Sequence, residues 1–295
     1  MLLAATFLAF GPTAAAPTSV RPELVEGLPF PSAARVQGSP STSSGQTAVG
    51  RILPLPDNAV AYIPASASAH PPLLVLLHGA GHRQLEMVRH FEAEADARGI
   101  VLLAPDSRGI TWDAVSIGEE PPSPDSPLAN RLTHRFGDSR DAQRVEAAIA
   151  ALAKTVPVDR AHTVLAGFSD GATFALAMGM SRAHPFAAVI AWSPGIAIRT
   201  ANPVRGRRVF VSHGRADPIL KFEATCAEIV PLLQSEGAAV TFVPFDGGHD
   251  APLWLKDTFL DAAFGRVTGS QAHPLPAQVE TCPRTKAEVP KLGER

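Results

Sequence analysis

Residues 163–171, which read TVLAGFSDG, decide the fold of this chain. The apolar run 163–166 closes at Gly167, and a helical pattern begins at Asp170. Between them, GFSDG matches G-x-S-x-G, the pattern in which a serine stands on a sharp strand-to-helix turn. The glycines on both sides let strand and helix pass closely. The context predicts that Ser169 is a nucleophile; the alternative is a tight glycine-rich turn whose serine caps a helix.

Apolar runs alternate with helical patterns on both sides of this turn. Short runs closed by glycine, proline or a polar residue occupy residues 73–77, 100–104, 187–192, 209–212 and 240–243. Helical patterns occupy residues 138–155, 170–181 and 222–235. Runs of this kind are typical of strands buried on both faces of a parallel sheet. We therefore predict a single-domain α/β fold, with a mostly parallel central sheet and helices on both faces.

Two later residues complete a candidate catalytic set. A serine hydroxyl is a poor nucleophile until a base takes its proton. Of the ten histidines, His249 is the one in a loop directly after the last predicted strand, within the stretch DGGHD. Asp217 ends the preceding stretch, SHGRAD, and is predicted to orient the imidazole. Asp246 and Asp250 are the alternatives to Asp217, but both are too close to His249 in sequence to reach back easily.

Two backbone N–H groups are predicted to bind a developing oxyanion. The N–H of Asp170 lies at a helix N-terminus, where the partial positive charge favours an anion. The N–H of Ala80 lies in the loop after the 73–77 run, where this arrangement places the second donor. We expect the Asp170 side chain to be a helix N-terminal acid or a pocket residue and not a member of the triad.

The loop HGAGH at residues 78–82 does not predict a metal site. His78 and His82 are four residues apart, but the glycines between them oppose the helix that would align two ligands. We expect His78 to be a packed structural histidine. No phosphate-binding glycine loop is found either, so the sequence predicts no cofactor.

Four aromatic residues are candidates for the lining of an acyl pocket: Trp112, Phe168, Trp192 and Trp254. Packing in the core is the alternative for all of them. Trp112 belongs to a long loop, residues 105–137, with little periodicity. Loops of that length are usually functional. We predict a partial lid with Trp112 over the pocket, and a solvated insertion is the alternative.

Composition excludes several classes of function. The 26 basic and 28 acidic residues give a net charge of −2, without a basic stripe, so nucleic acid is not a predicted partner. No internal apolar run reaches the roughly 18 residues that a membrane span needs. The two cysteines, Cys226 and Cys282, are too few for a disulfide scaffold. We expect both to be unpaired, Cys226 in the core; a single bridge in an oxidising compartment is the alternative.

Both ends of the chain are expected to lie outside a catalytic domain at residues 47–266. Residues 1–16 resemble a signal peptide but lack its positive n-region, so an exported (periplasmic or secreted) and a cytoplasmic location both stay open. Residues 17–46 are rich in proline, serine and glycine and predict a disordered lead-in. Residues 267–295 predict a loose tail.

At these motifs the sequence resembles the α/β-hydrolase superfamily, and within it the carboxylesterase and phospholipase-like group of small serine esterases. The matching segments follow the family's order: LHG at 77–79, GFSDG at 167–171, AWSPG at 191–195, SHGRAD at 212–217 and FDGGH at 245–249. The resemblance implies hydrolysis of carboxylic esters through a Ser-His-Asp triad and an acyl-enzyme, without metal or organic cofactor. Many members have Gln after the nucleophile, where this chain has Asp170.

Two other functions stay open. The same triad serves thioesterases, amidases, polyester depolymerases and peptidases, because the shape of the pocket decides the substrate. A non-catalytic binding module on the same fold is the second alternative, against which the intact Ser, Asp and His residues argue. The expected partner is a small-molecule ester, and the sequence leaves the oligomeric state open.

Overall fold

The computed structural model describes residues 50–81, 83–113, 139–200, 202–265 and 274–275. The described residues form one compact α/β unit. The predicted signal peptide and lead-in lie outside them, as do His82, most of the predicted lid loop and all but two residues of the predicted tail.

Eight strands form one sheet: β1 Arg51–Pro54, β2 Val60–Ile63, β3 Pro72–Leu77, β4 Val101–Ala104, β5 Asp159–Phe168, β6 Ala188–Trp192, β7 Arg208–Gly214 and β8 Ala239–Phe245. Their order is β1-β2-β4-β3-β5-β6-β7-β8. The β1–β2 and β2–β4 pairs are antiparallel, and all others are parallel. This confirms the predicted mostly parallel sheet.

Within the described residues, five α-helices and one π-helical turn accompany the strands: α1 Gln84–Arg98, α2 Arg140–Ala153, α3 Asp170–Met180, the turn Ala224–Ile229, α4 Val230–Ser235 and α5 Leu253–Phe264. A 3₁₀ turn, Pro56–Asn58, joins β1 to β2. None of the helices in the described residues is long and apolar enough to cross a bilayer.

The strands carry apolar side chains on both faces of the sheet. On one face, Val189 and Val209 belong to the main core cluster together with residues of α2 and α3. On the other face, Trp192 packs against Phe91 of α1, with ring centroids 5.4 Å apart. Alternation of side chains along a strand explains this, because neighbouring positions point to opposite faces. The predicted helices on both faces are therefore confirmed.

Parallel register brings the strand ends that carry polar residues to one edge of the sheet. Leu77, at the end of β3, pairs with Gly167 near the end of β5. Phe168 pairs with Trp192 at the end of β6, and Gly214 of β7 pairs with Phe245 of β8. The loops after these strands are consequently neighbours, and such edges are where open α/β sheets bind ligands.

Cys226 corrects one expectation from the sequence. Its side chain is buried in the π-helical turn, as expected, but it is disulfide-bonded and not a free thiol. The chain's other cysteine, Cys282, lies outside the described residues. Pairing depends on which sulfur atoms the fold brings together, and a helical pattern around one cysteine carries no information on that.

Ion pairs buried between helices α1 and α5 hold the two helices together. Lys256 is 1% exposed, its Nζ lies 3.1 Å from Glu94 Oε1 and it donates to the carbonyl oxygen of His90 at 2.8 Å. Arg98 bonds Asp257 at 2.9 Å and Asp261 at 2.8 Å. Because α5 begins four residues after His249, these ion pairs fix the helix that follows the candidate catalytic loop.

Replacing Lys256 by Met is expected to lower the free energy of unfolding by about 3 kcal/mol, because Glu94 is then buried without a cation. The double replacement Lys256→Met with Glu94→Gln is expected to lose less, since no unpaired charge is left behind. Urea denaturation at pH 7 measures both. A double variant no more stable than the single one would contradict this account of the ion pair between Lys256 and Glu94.

Candidate active site

Ser169 occupies a sharp turn between β5 and α3. Its backbone has φ 57° and ψ −123°, a conformation that only a tightly constrained turn imposes on a non-glycine residue. Its N–H donates to the carbonyl oxygen of Trp192 at 2.9 Å, and α3 begins at the next residue. A Cβ on Gly167 would overlap the backbone of Gly171, so the close passage of strand and helix requires glycine there.

Asp217 and His249 meet on the loops after β7 and β8. Asp217 Oδ2 accepts a hydrogen bond from His249 Nδ1 at 2.7 Å, and the Asp217 carboxylate is fully buried. The two alternatives that the sequence offered are engaged elsewhere. Asp246 is exposed and lies 3.6 Å from Arg215, and Asp250 accepts from its neighbour's backbone N–H.

Close packing of these two loops makes the meeting possible. A Cβ on Gly214 would overlap the carbonyl oxygens of Gly247 and Gly248. The N–H of Ala216 donates to Gly247 at 2.9 Å, and the N–H of Arg215 donates to Phe245 at 2.9 Å. Backbone therefore packs directly on backbone, which brings the two side chains within hydrogen-bond distance.

The surroundings of Asp217 keep its carboxylate ionised. Burial alone would raise the pKa of Asp217, but hydrogen bonds from His213 and His249 and from the backbone N–H groups of Leu220 and Ile219 outweigh it. The net effect holds the pKa of Asp217 well below its usual range. A carboxylate that stays charged can accept from an imidazole and stabilise its protonated form.

His249 lies beside the Ser169 turn. Its ring centroid is 4.7 Å from that of Phe168, the residue before Ser169. Among the contacts of the described residues, no hydrogen bond joins His249 to the Ser169 hydroxyl. Hydrogen bonds of this kind are often long without substrate and tighten when it binds. Because Nδ1 is bonded to Asp217, Nε2 is the ring nitrogen left to accept a proton.

The loop after β3 also lies against Ser169. A Cβ on Gly79 would stand 3.3 Å from Ser169 Cβ, and Ala80 is the next residue. The N–H of Gly81 donates to the carbonyl oxygen of Ile110 at 2.8 Å, which fixes the loop. The predicted donors Ala80 and Asp170 therefore both belong to segments that border Ser169.

The Asp170 side chain ties the start of α3 to the segment after β4. Its Oδ2 accepts a hydrogen bond from Thr111 Oγ1 at 2.6 Å. This carboxylate contacts neither His249 nor Asp217 among the described contacts, so the structure places it apart from the Asp217–His249 pair.

His78 is packed, as predicted. It is fully buried, its Nδ1 lies 2.6 Å from the carbonyl oxygen of Gly79 and its Nε2 accepts from the N–H of Ser107 at 3.2 Å. His82, the other histidine of the metal pair that the sequence argues against, lies outside the described residues. Within the part of the chain that the structure describes, no cluster of three or more His, Cys, Asp or Glu side chains could hold a metal ion.

Two of the four predicted pocket residues are core residues instead. Trp112 and Trp192 are both 0% exposed and offer no surface to a substrate. Trp112 stacks on Phe174 at 4.9 Å, and its Nε1 donates to the carbonyl oxygen of His78 at 2.8 Å. This corrects their predicted place in the pocket and the predicted position of Trp112 over it. Large aromatic rings bury more apolar area in the core than at a pocket wall.

Of the other two pocket candidates, one contacts His249 and the other is exposed on α5. Phe168 packs against the imidazole of His249, and Trp254 is 40% exposed on the first turn of α5. One further residue was quoted in the sequence motifs without a role: His213, at the end of β7. It is fully buried, with Nε2 3.1 Å from Asp217 Oδ2.

The fold and this site define the class as an α/β-hydrolase. A sequence model of the phospholipase/carboxylesterase family matches residues 58–252, and the chain belongs to that family. This confirms the predicted superfamily and group, one of ester hydrolases.

One curated relative is similar to the chain over part of its length. The chain is 29% identical over 163 residues to the protein named "Putative esterase NocK" from Nocardia uniformis subsp. tsuyamanensis, covering 52% of this chain and 42% of that protein. The chain thus matches less than half the length of this curated relative.

Two solved structures share the fold. LpqC, a poly(3-hydroxybutyrate) depolymerase from Bordetella parapertussis, has a TM-score of 0.54 and 19% identity over 75% of this chain and 92% of its own. An acetyl xylan esterase from Aspergillus awamori has a TM-score of 0.51 and 15% identity over 72% of this chain and 98% of its own.

Replacing Asp217 by Asn is expected to destabilise the protein at pH 7 more than at pH 3. A carboxyl whose pKa is lowered by folding stabilises the native state above the pKa of the unfolded chain, about 3.9, and this contribution is lost as the pH falls toward the folded pKa. Urea denaturation between pH 7 and pH 3 follows the difference from wild type. A difference independent of pH would show that folding does not lower this pKa.

Proposed function

We propose that this protein is a serine esterase that hydrolyses carboxylic esters through Ser169, His249 and Asp217. The single observation that carries the proposal is the hydrogen bond between the buried Asp217 carboxylate and His249, formed on loops beside the Ser169 turn. The order Ser, Asp, His along the chain is that of this fold. Membership of the phospholipase/carboxylesterase family supports the same class of reaction.

In the first half of the reaction, Ser169 Oγ attacks the carbonyl carbon of the ester while His249 Nε2 takes the hydroxyl proton. The tetrahedral intermediate carries a negative charge on the former carbonyl oxygen. The backbone N–H groups of Ala80 and Asp170 donate to that oxygen. When the intermediate collapses, the bond to the alcohol oxygen breaks, His249 gives its proton to the alcohol, and the acyl group stays on Ser169.

In the second half, water takes the place of the alcohol. His249 removes a proton from the water, which attacks the acyl carbon, and the proton returns to Ser169 as the carboxylic acid leaves. Asp217 stays ionised throughout, because its pKa is held well below its usual range, and it stabilises the imidazolium formed in each half.

Exposed apolar side chains around the site favour an ester with an apolar part. Leu253 and Trp254 are 66% and 40% exposed at the start of α5, a few residues after His249. Ile110 is 55% exposed, and its backbone is bonded to the loop that holds Ala80. These residues adjoin the loops of His249 and Ala80, so we expect them to shield an apolar acyl or alcohol group from water.

Replacing Ser169 by Ala is expected to abolish covalent labelling by a fluorophosphonate and to lower kcat for p-nitrophenyl esters by about 10⁶-fold, with folding unchanged. Labelled protein is quantified by mass spectrometry. Ser193→Ala is the matched control and should be labelled like wild type, because Ser193 also has positive φ (51°), at the end of the neighbouring strand, but is buried. Labelling of Ser169→Ala to the wild-type extent would refute the assignment. A wild-type protein that neither hydrolyses esters nor takes the label would favour a binding module.

Replacing Trp254 by Ala is expected to raise KM for p-nitrophenyl octanoate roughly fivefold to tenfold, because apolar contact with the long acyl chain is lost. KM for the acetate should change less than twofold. Steady-state kinetics over the ester series measures both. Ile52→Ala, which truncates a similarly exposed apolar side chain on the edge strand β1, is the control. Equal changes for octanoate and acetate would show that Trp254 does not contact the acyl chain.

A further inference from the structure

The Asp217 carboxylate is shared by two imidazoles. Oδ2 lies 2.7 Å from His249 Nδ1 and 3.1 Å from His213 Nε2. Oδ1 accepts from the backbone N–H groups of Ile219 at 2.8 Å and Leu220 at 2.9 Å. Four donors therefore surround one buried carboxylate, and the mechanism above uses only one of them.

The partners of His213 show which way its Nε2 bond runs. Nε2 also lies 2.9 Å from the carbonyl oxygen of Leu220, which can only accept. With a carbonyl and an ionised carboxylate on the same side, Nε2 carries a hydrogen and donates it. The ring is 0% exposed, so water cannot replace either acceptor.

The far side of the His213 ring is anchored as well. Its Nδ1 lies 2.7 Å from Thr225 Oγ1, and Thr225 Oγ1 lies 2.9 Å from the carbonyl oxygen of Pro194. Because Nε2 carries the ring hydrogen, Nδ1 accepts from the Thr225 hydroxyl. Thr225 belongs to the π-helical turn Ala224–Ile229, a rare geometry that is frequent at functional sites. A chain of hydrogen bonds thus runs from Thr225, through His213, to Asp217.

Charged side chains on the same loops, next to this chain of hydrogen bonds, interact with other partners. Arg215 lies 3.6 Å from Asp246 and stands over the ring of Phe222 at 5.2 Å. Asp250 accepts from the N–H of Ala251. His213 and His249 are therefore the side chains that act on the Asp217 carboxylate directly.

We propose that His213 is a positioning residue of the triad: its Nε2–H fixes the plane of the Asp217 carboxylate, so that Oδ2 stays aimed at His249. The inference rests on the function proposed above. Without this donor, two backbone N–H groups hold Oδ1, and the bond to His249 is the one contact that orients Oδ2. The carboxylate plane is then set less firmly, and Oδ2 can turn away from His249 between turnovers.

Two amide replacements separate positioning from packing. In His213→Gln the side-chain N–H reaches about as far as Nε2 and still donates to Asp217. In His213→Asn it reaches only about as far as Nδ1, so the bond to Thr225 survives and the bond to Asp217 is lost. We expect kcat for p-nitrophenyl acetate to fall tenfold to a hundredfold in His213→Asn, with KM within twofold of wild type, since a hydrogen bond to a charged group is lost. His213→Gln should stay within about threefold of wild-type kcat.

A second readout needs no turnover. The proton on His249 Nδ1, held by Asp217, should give a low-field proton NMR signal in wild type and in His213→Gln. In His213→Asn exchange with water should broaden this signal. His184→Asn is the matched control, because His184 is another buried histidine that bonds a carboxylate, that of Glu146 at 3.1 Å. It should leave both kcat and the low-field signal unchanged.

Equal losses in His213→Asn and His213→Gln, or a His213→Asn variant that matches wild type in kcat and in the low-field signal, would overturn the proposal. Should His213→Asn fail to fold, the tautomer of His213 in the wild type carries the test. Nitrogen NMR of the imidazole should show a hydrogen on Nε2, and an unprotonated Nε2 would overturn the proposal equally. If the wild type has no esterase activity but the NMR signal differs between His213→Asn and His213→Gln as expected, the proposed function is refuted. The positioning role of His213 is then still supported.

Discussion

The hydrogen bond between Asp217 and His249 depends on two loops packing closer than side chains would permit. Gly214 has no Cβ to hold the backbone of Gly247 and Gly248 away, and the Ala216 N–H bonds Gly247 directly. Parallel register supplies the rest, because β7 and β8 end side by side. The chemistry we propose therefore rests on backbone packing at the edge of the sheet, and side chains such as Lys256 and Arg98 hold the next helix in place behind it.

Strain and charge are concentrated at the same edge. Ser169 and Ser193 both have positive φ at the ends of neighbouring strands, where the chain turns sharply out of the sheet. Such conformations persist only where the surrounding structure holds them, and they are frequent at active sites. The buried Asp217 carboxylate is balanced by four hydrogen-bond donors. A preorganised site of this kind does not have to reorganise as charge moves from serine to imidazole.

Motifs that depend on local geometry could be predicted from the sequence. The Gly167–Gly171 turn and the alternation of apolar runs and helical patterns predicted the fold. Asp246 and Asp250 are too close to His249 in sequence to reach back easily, which favoured Asp217. Features set by contacts between distant segments could not be predicted. From the sequence, Trp112 and Trp192 could line a pocket or belong to the core. Only their packing against Phe174 and Phe91 shows that they belong to the core. The bridge at Cys226 and the bond from His213 to Asp217 depend in the same way on where the fold brings atoms together.

The most direct test of the proposed chemistry is to trap the acyl group itself. A p-nitrophenyl ester is mixed rapidly with the wild-type enzyme, the reaction is quenched in acid during turnover, and the acylated peptide is identified by mass spectrometry. The account predicts one acyl group per chain, on Ser169. An acyl group on any other residue, or steady ester turnover with no covalent adduct at any quench time, would contradict it.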